Sequence, residues 1–144
     1  MGPRPERQPE GRFSLLQGID PGDAEGGGGS IINLSSIGTL RGTTYCVAYA
    51  AAKAGVIQLT RSTAVQCGPL GIRANCIVPG LIDTPMSRGT TGSAEEFERR
   101  AAEIPLGRAG TPQDVASLAL YLASRDAAFV NGAAIVIDGG ATTR

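Results

Sequence analysis

Three short apolar runs, rich in β-branched residues, alternate along this chain with helix-patterned stretches. Ser30-Ile31-Ile32-Asn33-Leu34-Ser35 is the first, Ile72-Arg73-Ala74-Asn75-Cys76-Ile77-Val78 the second, closed by Pro79-Gly80. Ala133-Ala134-Ile135-Val136-Ile137-Asp138 is the third, stopped by Gly139-Gly140. Runs that stay apolar instead of alternating are strands covered on both faces, the habit of a parallel sheet. Between the first two, Tyr45 to about Gln66 reads as a long Ala-rich helix, broken at Cys67-Gly68-Pro69. Gly68 tolerates the left-handed conformation there, and Pro69 cannot continue a helix. Strands separated by helices imply βαβ units, so the expected class is α/β: a partial doubly wound parallel sheet of about three strands with flanking helices.

The remaining segments are read from their local chemistry. Residues 37 to about 44 form a glycine-bearing loop, and Leu81 to Gly92 a long polar loop. Ser93-Ala94-Glu95-Glu96 is a capping box for a helix to about Glu103. Thr111-Pro112-Gln113-Asp114 repeats the device, with Thr as N-cap and Pro at the first helical position. Val115, Leu118, Ala119 and Leu122 then line one face of a helix ending near Ser124. Residues 1–28 stand apart. They carry prolines, glycines and most of the tract Gly26-Gly27-Gly28-Gly29, with only Phe13-Ser14-Leu15-Leu16 as an apolar patch. Such a composition buries too little surface to offset its ordering entropy, so a disordered leader is expected, with one turn of helix near residues 13–17. The folded unit is then residues 29–144.

Composition removes several functions. Thirteen basic residues balance thirteen acidic ones and there is no Trp, so nucleic acid is not an expected partner. The N-terminus has no apolar signal-peptide core, and no run approaches the roughly 18 apolar residues of a membrane span. Cys46, Cys67 and Cys76 form no Cys-x-x-Cys pair; they read as free thiols with packing roles in a reducing compartment, the cytoplasm. Without histidine, a Ser-His-Asp triad and a His-ligated zinc site are both impossible. Proton transfer must use Tyr, Lys, carboxylates or water, and no metal site is expected.

Tyr49 and Lys53 lie four residues apart in Ala48-Tyr49-Ala50-Ala51-Ala52-Lys53-Ala54-Gly55. On a helix that spacing sets both side chains on one face, about one turn apart. An ammonium beside a phenol favours the phenolate, and a tyrosine tuned that way can pass a proton near neutral pH. Taken alone, the pair reads equally as a lysine lying along a half-buried tyrosine. Ser36, thirteen residues before Tyr49 at the end of an apolar run, adds a third polar group aimed at the same place.

Joined in this order, the three residues resemble the short-chain dehydrogenase/reductase family, whose signature is a Ser followed by Tyr-x-x-x-Lys. Ile31-Ile32-Asn33-Leu34-Ser35-Ser36 is similar to the family's fifth strand. Asn75-Cys76-Ile77-Val78-Pro79-Gly80-Leu81-Ile82-Asp83-Thr84 is similar to its sixth strand and the Pro-Gly turn beyond. Pro105-Leu106-Gly107-Arg108 with Thr111-Pro112-Gln113-Asp114 matches the approach to its last large helix, and Ile137-Asp138-Gly139-Gly140 its terminal strand. The resemblance covers roughly residues 29–144. It implies a Rossmann-like sheet, an NAD or NADP cofactor, and a small carbonyl or secondary-alcohol substrate. By the same resemblance Tyr49 is the acid/base, Lys53 favours its ionised form and binds the nicotinamide ribose, and Ser36 polarises the substrate oxygen. Pro79 and Gly80 let the chain pass close to the nicotinamide, Ile82 lends its backbone to the carboxamide, and Thr84 reaches the cofactor phosphates. Thr84 is equally an ordinary turn residue, and Ser35 reads as structural. The stretch from Leu81 to about Ile104 would cover the substrate, and the long helix would pack against its copy in a homo-oligomer.

The departures from the family pattern lie toward the N-terminus. The strand and glycine-rich turn that seat a pyrophosphate on a helix have no counterpart, because the Gly26–Gly29 tract precedes a strand instead of following one. The residue that selects NAD or NADP and the family's catalytic Asn are missing with that region. Two expectations therefore stand: an NAD(P)-dependent oxidoreductase, or a truncated, non-catalytic fragment that serves at most as an oligomerisation module.

Overall fold

The computed structural model describes residues 28–42 and 46–143. The reading of a disordered leader, with its turn at 13–17, and that of Tyr45 as the start of the long helix lie outside the described residues. Three strands form one parallel sheet in the order β1 (Gly29–Leu34), β2 (Ile72–Pro79), β3 (Ala134–Ile137). Helix α1 (Val47–Cys67) links β1 to β2, and α2 (Pro85–Thr91), α3 (Ala94–Ala102) and α4 (Pro112–Ala123) lead from β2 to β3. The α/β class expected from the strand–helix alternation is the one found, with strand ends displaced by about one residue as is usual for element boundaries.

β2 is the central strand, and covering on both faces explains its unbroken apolar character. Ala74, Cys76, Ile77 and Val78 are all fully buried. On one side Ile77 joins Leu122 and Ala127, with Ile32, Val115, Leu118, Ala119, Ile135 and Ile137 packed around them. The α4 face read from the sequence is thus the face that meets the sheet. Burying side chains such as Ile77 and Leu122 stabilises the fold by roughly 1.5–3 kcal/mol each. On the other side α1 packs mainly against β2 and buries Thr60, Ala64 and Cys67.

Polar side chains tie the layers where backbone groups would otherwise be stranded. The Arg73 guanidinium donates to the carbonyls of Leu122 (2.8 Å), Ser124 (3.3 Å) and Val130 (3.3 Å), satisfying the end of α4. Asn75, fully buried, accepts from the Ala133 amide at 3.0 Å and donates to the Val130 carbonyl at 2.8 Å.

Four local expectations are corrected. Gly68 is right-handed (φ −52°), and the left-handed residue is Gly71 (φ +74°). Helix α1 therefore relaxes into a 3-10 turn, Gly68–Leu70, that carries Pro69 inside it. The segment read as a polar loop holds α2, nucleated by Thr84 as N-cap and Pro85 at the first turn. Ser93 supplies only half a capping box, because its hydroxyl accepts from the Glu96 amide while the Glu96 carboxylate is taken by Arg99 and Arg100. Thr111 and Asp114 complete the full box at α4. Finally, Cys67 and Cys76 are buried as packing residues, but Cys46 is exposed at the start of α1. Burial pushes the Cys76 thiol up.

Candidate active site

All three strands run in one direction, and the pairing of Leu34 with Ile77 and of Pro79 with Ile137 brings their carboxyl ends to a common edge. In open α/β sheets that edge is where ligands sit. Ser36, Pro79, Gly80 and Asp138 all fall there, within two residues of a strand end.

Lys53 is held against this edge by two bonds. Its Nζ donates to the Leu34 carbonyl at 3.0 Å, and its own carbonyl accepts from the Ser35 hydroxyl at 2.8 Å. Ser35 is buried, so the structural reading of that serine stands, and its task is to fasten α1 at Lys53. Asn33 adds a second fastening one turn of pleat away, donating from Nδ2 to Thr60 Oγ1 at 2.9 Å. The Lys53 ammonium then lies 5.8 Å from the centre of the Tyr49 ring, within range of a cation–π contact. Tyr49 is about half-exposed (48%), which leaves its ring accessible to a ligand. The four-residue spacing thus does bring the two side chains together.

Ser36 follows β1 in extended backbone and opens the 3-10 turn Ile37–Thr39. Its Oγ accepts from the Gly38 amide at 3.2 Å, and among the described residues nothing takes its proton. The hydroxyl is left with a donor to offer. Ser36 follows directly on Ser35, which is bonded to the Lys53 carbonyl, so this donor and Lys53 belong to the same end of β1.

Gly80 has a reason of its own within the protein. A Cβ there would lie 2.7 Å from Asp138 Cβ and 2.9 Å from Asp138 Cα, so close approach of β2 to the end of β3 requires glycine. The Gly80 amide donates to the Ile137 carbonyl at 2.9 Å. Asp138 is partly buried, which by itself would raise its carboxyl, but donors from Thr142 and Gly140 outweigh that and hold it below the usual carboxylate range.

Ile82 forms a parallel bridge with Gly110, and Thr84 caps α2 through a bond from the Ser87 amide at 3.2 Å. A cavity of about 210 Å³ opens beside this turn, lined by Leu81, Ile82, Leu106, Arg108 and Asp138. A larger one, about 630 Å³, lies at the opposite, amino-terminal edge between Gly29, Ile72, Arg73 and Phe129. It shares none of the candidate residues. Among the described residues no cluster of His, Cys, Asp and Glu suits a metal ion, and no helix is long and apolar enough to cross a membrane.

Sequence reasoning missed Ser87 and the Asn33–Thr60 bond. The first carried a signal, since Thr84-Pro85-Met86-Ser87 repeats the cap-and-proline arrangement recognised at Thr111-Pro112. The second carried none, because a bond across 27 residues leaves no local pattern.

Comparison with known proteins gives a consistent set. Residues 10–142 match the family described as enoyl-(acyl carrier protein) reductase, so the match begins well ahead of β1. The chain is 45% identical over 116 residues to an L-rhamnose 1-dehydrogenase (NAD(P)(+)) of Sphingomonas, covering 81% of this chain and 46% of that protein. It is 48% identical over 116 residues to a 3-alpha-(or 20-beta)-hydroxysteroid dehydrogenase of Mycobacterium bovis, covering 81% and 42%. A gluconate 5-dehydrogenase from Burkholderia cenocepacia, solved with NADP and tartrate, superposes with a TM-score of 0.81 at 30% identity, over 92% of this chain and 52% of that one. The chain spans about half the length of the relatives it matches.

Proposed function

This chain belongs to the short-chain dehydrogenase/reductase family, and from that we propose that it is an NAD(P)-dependent oxidoreductase interconverting a carbonyl and a secondary alcohol. The observation that carries the proposal is the double fastening of Lys53 to the end of β1, which holds its ammonium over the Tyr49 ring.

In this reading Tyr49 gives a proton to the carbonyl oxygen during reduction and recovers it during oxidation. Lys53 stabilises the negative charge that Tyr49 carries between those events, and its remaining N–H donors suit a ribose hydroxyl. Ser36 donates its uncommitted proton to the same substrate oxygen and fixes its position. The Ile82 backbone and the Thr84 hydroxyl serve the carboxamide and phosphate ends of the dinucleotide, while Pro79 and Gly80 form the floor. A bound nicotinamide supplies the hydride; the chain supplies orientation and the proton. The described donors suit the nicotinamide half of that cofactor. The relatives act on a sugar, a steroid and a sugar acid by their names, so the substrate proposed is a class: a small carbonyl or its alcohol. A cytoplasmic site fits the free thiols, and the exposed flank of α1 is the proposed contact with a second copy.

A second reading, a non-catalytic interaction module, is favoured by β1, which pairs on one side only among the described residues. One titration separates the two. Purified chain is titrated with NADH and NADPH by nucleotide fluorescence, and turnover is compared with that of Tyr49→Phe. Saturable binding, with turnover reduced about 10³-fold in the variant, is the expected result. No binding at millimolar nucleotide would select the module.

A further inference from the structure

Resting on the oxidoreductase reading above, we infer that Ser87 is a positioning residue that locks the turn 82–84 in its nucleotide-facing conformation. Ser87 lies in the first turn of α2, three residues past the N-cap Thr84. Its single hydroxyl holds both ends of the turn. Oγ donates to the Ile82 carbonyl at 2.5 Å and accepts from the Thr84 amide at 3.1 Å, while the Ser87 amide donates to Thr84 Oγ1 at 3.2 Å.

The middle of the turn is held from two further directions. The Asp83 amide donates to the Gly110 carbonyl at 2.8 Å, on the side where Ile82 bridges Gly110. The Asp83 carboxylate is forked by Arg88 at 2.6 and 2.7 Å on the exposed side. Arg88 in turn stacks its guanidinium 4.3 Å from the centre of the Phe97 ring, and Phe97 is buried. Helix α2 therefore grips the turn through Ser87 and Arg88, and α3 steadies that grip.

The arrangement lets Thr84 serve a ligand at the cost of one bond. Its oxygen accepts the cap bond, and, because the Ser87 Oγ proton goes to Ile82, Thr84 Oγ1 is the donor in the 3.2 Å bond between the two hydroxyls, a proton it can turn to a ligand instead. A hydroxyl has one donor and two acceptor sites, so Thr84 can donate to a phosphate oxygen while the cap stays intact. Removing the Ser87 hydroxyl frees Ile82 and the Thr84 amide together. The turn then spends only part of its time in the binding conformation, and apparent affinity falls by that fraction.

The test measures NADH and NADPH affinity of the full chain as wild type, Ser87→Ala, Ser87→Thr and Ser93→Ala. Ser93 is the control: its hydroxyl caps α3 in the same segment by accepting from the Glu96 amide, and no bond joins it to the turn 82–84 among the described residues. Ser87→Ala is expected to raise Kd about tenfold, with kcat at saturating nucleotide within about twofold of wild type. Ser87→Thr, which keeps the hydroxyl, restores affinity, and Ser93→Ala binds as wild type does. Unchanged Kd in Ser87→Ala, or equal weakening in Ser93→Ala, overturns the assignment. Failure of the wild type to bind either nucleotide removes the oxidoreductase reading on its own. Amide exchange over residues 82–88 then decides the clamp: faster exchange in Ser87→Ala than in wild type and Ser93→Ala sustains it, and identical exchange ends it.

Discussion

Asn75 has no exposed surface, and both ends of its amide are engaged by backbone groups of the chain entering β3. Replacing it with Ala takes the partner from the Ala133 amide and leaves the Val130 carbonyl with the 3.3 Å bond from the Arg73 guanidinium. A backbone amide left unpaired costs about 1–3 kcal/mol, so Asn75→Ala is expected to lower the urea midpoint markedly, while Asn33→Ala on the more open side does less. A midpoint within error of wild type would contradict this account. Residues of this kind show where sequence reading stops. Tyr49 and Lys53 were legible because helical spacing is local and fixed. The partners that fasten Lys53 were not, because Ser35 and Leu34 lie 18 and 19 residues away and meet it only when α1 docks.

Helices and strands were legible to the degree that their signals were self-contained. The caps at Thr111 and Ser93 and the continuous apolar strands each reflect local chemistry, and each stands where it was expected. Helix α2 was hidden by Gly89, Thr90 and Thr91 inside a polar stretch, residues of weak helical preference whose order comes from the Thr84–Ser87 box and the Arg88 contacts. At α3 the balance is electrostatic. Arg99 and Arg100 on either side of the Glu96 carboxylate hold it down at about 2, against an ordinary value of 4.5. A carboxyl lowered by folding stabilises fully above its unfolded value and loses that contribution as pH falls toward the folded one. Wild type is therefore expected to exceed Glu96→Gln in stability above about pH 4.5, with the gap closing toward pH 2. Urea titrations of both proteins across that range check it, and a pH-independent gap would show that the carboxylate pairs do not contribute.

At the scale of the whole molecule the sheet is protected unevenly. Its faces are covered by α1 on one side and α4 on the other, but β1 has hydrogen-bonding groups on its outer side with no strand beside them among the described residues. Leu34, about half-exposed, ends that strand. An open apolar edge invites pairing with another chain, and a lysine there discourages it. Sedimentation of wild type is expected to show association that grows with concentration, and Leu34→Lys to reduce it; equal profiles would place self-association elsewhere, α1 first. Leu34 is suited to this change for another reason. What Lys53 takes from position 34 is a main-chain carbonyl, which every amino acid carries. The geometry of the ammonium is thereby insulated from mutation at the very residue that anchors it. Drift along β1 can alter solubility while the Tyr49–Lys53 pair inherits the same support.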